Sequence, residues 1–167
     1  MERTAENDVV VSEAGIAPGN AVHEALQARA EIMAMTQATH DAALTPKDPG
    51  GISHAERAAL AARIARLNAD EALAQHYETL MRAASATPDI ARVADPAFKG
   101  EGRRMQALIA YTDLASVSPK DTVATDIEGL QEAGVSDADI VRLAELNAFL
   151  AYQVRLIAGL RLMKGLG

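Results

Sequence analysis

Residues 53–81 read SHAERAALAARIARLNADEALAQHYETLM, and two helices follow from that stretch. Ser53-His54-Ala55-Glu56 is a capping box, in which the Ser hydroxyl serves the amide three residues on and the Glu carboxylate reaches back to the amide of Ser53. Beyond it, Leu60, Ile64 and Leu67 recur on one face of a 3.6-residue repeat. Asp70, just after Asn68, is a second N-cap, with Leu73, His76, Tyr77, Leu80 and Met81 in register behind it. The pattern leaves open whether the two helices are continuous.

Working outward, the composition agrees with helix. Alanine supplies about a fifth of the 167 residues, aromatics only 3%, and Leu, Arg, Glu and Met, all good helix formers, fill much of the rest. The chain length predicts one domain, and the fold class is all-α. With 16 Lys and Arg against 23 Asp and Glu, the net charge of −7 argues against binding a phosphate backbone, so no nucleic-acid partner is expected. Zero Cys removes disulfides, thiolate metal sites and all thiol chemistry. The polar start, Met1 to Asp8, is followed by no apolar stretch long enough for an h-region and predicts no signal peptide. The longest charge-free apolar run, residues 146–154, falls well short of the roughly 20 residues that span a bilayer. A soluble, cytoplasmic protein with no membrane partner is expected.

Residues 1–19, with Gly15, Pro18 and Gly19, read as an N-terminal arm on the surface, and residues 20–167 as the helical domain. Asn20 caps a helix with Val22, Leu26, Met33 and Thr36 that runs to about Leu44. Thr87-Pro88-Asp89, Asp95-Pro96, Gly100 and Gly102 mark the loop expected to be most mobile. Met105, Leu108, Ile109 and Thr112 form a short amphipathic helix. Ser118-Pro119-Lys120-Asp121 reads as a capping box for a helix with Val123, Ile127 and Leu130, stopped by Gly134. Ser136 to Asp139 opens the last helix, which continues to about Met163. From Leu146 it is apolar nearly all round, which predicts either the central helix or an oligomer contact.

Two stretches resemble a known family. Asn68, Asp70, Glu71, Leu73 and His76, with His eight positions after Asn, resemble the signature of carboxymuconolactone decarboxylases. Ala107-Leu108, Pro119, Asp126-Ile127, residues 134–141, Ala148, Tyr152, Arg155, Gly159 and Leu160 resemble the C-terminal half of peroxidase-related proteins of the same alkylhydroperoxidase D (AhpD)-like superfamily. The resemblance covers roughly residues 52–163 and implies an AhpD-like helical bundle that forms homo-oligomers, as dimer, trimer or hexamer. The peroxidase branch uses a Cys-x-x-Cys pair. Counting from His76 puts Ala69 and Ala72 at the Cys positions and Arg57 at that branch's Glu; counting from Asn68 puts Asp70 and Leu73 there, with Ala58 and Tyr77 at its Glu and His. Neither register holds a sulfur, so the family's dithiol peroxide reduction is excluded.

The resemblance implies catalysis by His76, the side-chain type whose unperturbed pKa lies near neutrality, with Glu71 orienting the imidazole or acting as a second acid. Against this, a His beside Leu73, Tyr77 and Leu80 also suits a core, and acids at a helix N-terminus are favoured by its dipole. Glu56 is explained by its capping box. Arg57 is either a carboxylate ligand or a surface charge. Arg155, alone among apolar neighbours, needs a partner such as Glu145 or Asp113 if buried, and is either an ion pair or a substrate clamp. Tyr152 and Asn147 are hydrogen-bonding candidates for a ligand. His23, His40 and His54 show no spacing for a metal, and no Gly-rich phosphate loop or Gly-x-Ser-x-Gly elbow occurs, so no metal and no cofactor are expected.

Two functions follow. One is a cofactor-free decarboxylase-like enzyme acting on a small organic acid or lactone, with His76 moving the proton and Arg57 or Arg155 holding a carboxylate. The other is a non-catalytic structural or partner subunit, which could pair with a Cys-bearing paralogue.

Overall fold

The computed structural model describes residues 8–165, and every regular element among them is helical. Residues 1–7, most of the polar start, lie outside the described residues. At the centre is α4 (His54–Leu67), opened by the expected capping box: Glu56 N–H donates to Ser53 Oγ at 3.2 Å and Ser53 N–H to Glu56 Oε2 at 2.8 Å. Residues 55–65 are buried on every side. That is possible because six of them are alanines, whose small side chains let neighbouring helices approach from all directions. The central position belongs to α4 rather than to the last helix.

α4 and α5 (Glu71–Ala83) are separate helices. Ala69 takes a left-handed φ of 59°, Asn68 Nδ2 donates to Ile64 O and Ser116 Oγ, and Asp70 accepts from Leu73 N–H at 3.1 Å to start α5. Leu73, Ala74, Tyr77 and Met81 form its buried stripe. α4 and α5 pack side by side, and α7 (Gly102–Val117), α9 (Asp137–Lys164) and α3 (Ala30–Leu44) close around them. α9 buries Leu143, Leu146, Leu150, Ile157 and Leu160 but leaves Tyr152, Arg155 and Leu162 exposed.

Four expectations are corrected. From residue 8 on, the expected arm is not a surface segment throughout, because residues 9–14 form α1 (Val9–Ala14), with Val9, Val10, Val11 and Ala14 buried against α9. Asp8 caps it, accepting from Val10 and Val11 N–H, and Gly15 ends it in the left-handed conformation. The single helix expected after Asn20 is two, α2 (Ala21–Gln27) and α3, divided where Arg29 leaves helical geometry. Nothing in the local sequence explains that break. Ser118 does not open a helix: Pro119–Asp121 is one 3-10 turn, Thr122 is extended, and α8 (Ala124–Glu132) begins where Asp126 accepts from Val123 N–H.

The loop expected to be mobile is pinned. Arg63, fully buried in α4, donates to the carbonyls of Val93, Asp95, Pro96 and Phe98 and forks onto both carboxylate oxygens of Asp113 on α7. It ties the segment after α6 (Pro88–Arg92) to the core.

Candidate functional site

His76 lies on α5 beside Tyr77, with its side chain 23% exposed. Its Nδ1 is 3.7 Å from Oε1 of Glu13 on α1, and its Nε2 is buried without a hydrogen-bond partner. A second imidazole stands next to it. His40, on the buried stripe of α3, has its ring centroid 5.7 Å from that of His76. His40 Nδ1 is 3.2 Å from Asp41 Oδ1 and 3.3 Å from Gln37 Nε2, and its Nε2 is also buried and unpartnered.

Aromatic and polar groups frame the two rings. Tyr77 lies 5.1 Å from His76 and 6.0 Å from His40, and the Phe149 ring meets His40 edge-on at 6.0 Å. The buried Tyr77 hydroxyl donates to Gln153 Oε1, which leaves Gln153 Nε2 a buried donor without a partner. Arg161, from the end of α9, borders the cluster, donating to both oxygens of Asp70 and to the carbonyl of Glu13.

Burial sets the charge states. It pushes His76 down to about 4, with His40 adding a smaller push the same way, so His76 is neutral at pH 7. Burial also lowers His40, against the pull of Asp41 and Asp8. The carboxyls of Asp8 and Glu13 are raised by burial, and Asp70 raises Glu13 further. Burial likewise holds the Tyr77 hydroxyl well above its usual range. In a neutral imidazole one nitrogen carries the proton, and Glu13 beside His76 Nδ1 favours Nδ1–H there, which leaves the lone pair on Nε2. His40 Nδ1 meets both an acceptor, Asp41 Oδ1, and a donor, Gln37 Nε2, so its surroundings suit either tautomer.

The other expected site residues are elsewhere. Glu71 is exposed and forks with Arg66 at 3.0 and 3.2 Å, which holds its carboxyl below the usual range, so it serves α4 rather than His76. Arg57 is neither a surface charge nor a free clamp: buried in α4, it donates to the carbonyls of Ile52, Ala43 and Pro49. Arg155 is exposed and donates to Ala151 O within its own helix, and Asp113, offered as its partner, belongs to Arg63. Tyr152 lines an open groove of about 850 Å³ between α3 and α9 with Ile32, Met35, Thr36 and Phe149, and its hydroxyl is 3.1 Å from Thr36 Oγ1. Phe149 stands between that groove and His40. Asn147 donates to Leu143 O.

Of the expected residues, only His76 joins the cluster, and its companions His40, Glu13, Gln153 and Arg161 were not singled out as its partners. For His40 a signal existed, since adding one turn to the Met33 and Thr36 stripe reaches it. Glu13 was hidden in a segment read as an arm.

No family model, no curated protein and no solved structure matches the chain. Among the described residues, no group of three or more His, Cys, Asp or Glu is placed to hold a metal ion, and no helix is long and apolar enough to cross a membrane.

Proposed function

We propose that the chain is a thiol-free acid–base enzyme of the carboxymuconolactone decarboxylase type, with His76 carrying a proton to and from a small organic acid or lactone. One observation carries this reading: two neighbouring imidazoles, His40 and His76, each keep a buried Nε2 without a partner. Leaving such a nitrogen unpaired costs about 1–3 kcal/mol, which a ligand that pairs with it would recover. Neutral His76, with its Nδ1 turned to Glu13, keeps the lone pair of its buried Nε2 as the base that a bound molecule would meet. The imidazolium then formed is a strong acid in this buried setting and returns the proton to a developing carbanion or enolate. Arg161, which donates to Asp70 and to the carbonyl of Glu13, replaces Arg57 and Arg155 as the candidate cation. The Asn68-to-His76 resemblance supports the same assignment, and with it a cytoplasmic homo-oligomer.

The test is a thermal-shift screen against small lactones, muconate-like diacids and keto acids, with His76→Ala in parallel. The reading predicts a midpoint rise for one class that is lost in a variant which keeps its own fold. No shift from any compound, together with a strongly destabilised His76→Ala, would reduce His76 to a core residue.

The non-catalytic reading, a structural or partner subunit, draws on a different observation. Ile32, Met35 and Tyr152 are 41%, 57% and 45% exposed on one α3–α9 face, a surface suited to another chain. Charge substitution of Met35 that lowers the molecular mass in solution would favour it.

A further inference from the structure

α1 brings an acid near each histidine. It is six residues long, and its cap Asp8 lies within electrostatic reach of His40, while Glu13, near its other end, faces His76 at 3.7 Å. A helix this short does not hold itself in water. It is held by the burial of Val9, Val10, Val11, Ala14 and the following Ile16, by Val9 N–H donating to Gln37 Oε1 at 2.9 Å, and by Arg161 on the Glu13 carbonyl.

We propose that α1 is an acid-released latch over the His40–His76 pair, closed while both imidazoles are neutral and undocked once they take up protons. A proton added to either ring places a charge where burial has removed water. At His76 it also turns the buried Nε2 lone pair into a buried N–H donor that has no acceptor. A second proton would set two cations side by side, with ring centroids 5.7 Å apart. Release of α1 lets water reach His76 first, because that ring already touches solvent.

The charged and titratable groups facing the pair decide the sign. From α1 these are Asp8 and Glu13, from α3 Asp41, from α5 Tyr77 with Asp70 at its start, and from α9 Arg161. The charge of Arg161 is met by both oxygens of Asp70. The carboxylates of Asp8, Glu13 and Asp41 oppose opening by attracting an imidazolium, but burial outweighs Asp41 and Asp8 at His40. The carboxyls of Asp8 and Glu13 are raised by burial while α1 is docked, so their own proton uptake favours closure and opposes opening. The lowered imidazoles favour opening as pH falls, and the drop of His76 to about 4 outweighs the shifts of the two acids. For His76 the window runs from its ordinary 6.5 down to about 4, and if the open state restores ordinary titration, the opening equilibrium grows by at most about 300-fold across it.

The opening stands on packing and charge alone, whereas its use in admitting a substrate rests on the function proposed above. The experiment is hydrogen exchange of the full chain, followed by mass spectrometry on a peptide covering residues 8–16, at about pH 7.5 and about pH 5, with times scaled for the chemical exchange rate. Protection of that peptide falls at least about tenfold at the lower pH while peptides from α4 keep theirs, and His76→Gln and His40→Gln remove the difference. Equal protection of α1 at both pH values overturns the proposal, as does a loss that persists undiminished in both variants. Should the variants fold poorly, an NMR titration of the wild-type histidine rings decides. The latch requires His76 to titrate with the same midpoint as α1 opening, and a midpoint elsewhere overturns it.

Discussion

Replacing Arg63 with Leu tests the principal tie between the central helix and the rest of the fold. The guanidinium is fully buried and donates to four carbonyls, of Val93, Asp95, Pro96 and Phe98, and to both oxygens of Asp113. Removing one partner from a buried ion pair costs about 3–5 kcal/mol, because the other charge is left uncompensated. Asp113 is 28% exposed, so water recovers part of its carboxylate and moves that cost to the low end. The abandoned carbonyls add about 1 kcal/mol for each that water cannot reach. The sum is a loss of about 4 kcal/mol, and at a slope near 2 kcal/mol per molar urea the unfolding midpoint falls by about 2 M. Arg63→Lys keeps the charge but not the fork, so it recovers less than half. Urea unfolding followed by circular dichroism reads both values. A loss below about 1 kcal/mol in Arg63→Leu would refute the reasoning, since it would mean that those carbonyls and Asp113 find equal partners elsewhere.

Three other outcomes follow from the same contacts. Arg155→Ala changes stability by no more than about 0.5 kcal/mol, because its exposed side chain reaches only a carbonyl of its own helix; a loss of about 2 kcal/mol by urea unfolding would restore the buried partner expected from sequence. Tyr77→Phe loses about 1–2 kcal/mol, since Gln153 Oε1 is left buried without a donor; a neutral result would mean that this oxygen has a second partner. His76 makes the fold less stable as pH falls: its native value of about 4 lies below the unfolded 6.5, so its contribution is complete above 6.5, declines between the two and changes no further below 4. The decline amounts to at most about 3 kcal/mol, and His76→Gln flattens it in urea titrations across that range; an unchanged slope in the variant would assign it to other groups.

Local rules read well where the chain is closed on itself. The capping box at Ser53, the Asp70 cap and the Asn20 cap each need only residues two or three apart, and all three are present. What failed depends on distant partners. Arg57 read as a carboxylate ligand or a surface charge, and Arg63 on the same alanine-rich helix was not singled out, because only the fold brings carbonyls from residues 43–52 and 93–98 around them. Arg155 looked buried because its neighbours in sequence are apolar, yet it lies on the outer face of α9. The candidate site divides the same way. His76 was legible from its position on α5, whereas His40 and Glu13 reach it from other helices, and no periodicity links residues 13, 40 and 76. Glu71 stayed open in the sequence because a carboxylate in the first turn of a helix suits the helix terminus and a catalytic acid equally well. Only the position of Arg66 decides between them.

The most direct test of the central claim is an NMR spectrum of the ring nitrogens of His40 and His76 at pH 7, recorded before and after adding the lactone, diacid and keto acid panel. The account predicts two neutral rings, with His76 protonated at Nδ1, and one class of compound that shifts both Nε2 signals together. Rings that are already charged at pH 7, or Nε2 signals that no compound in the panel moves, would contradict it.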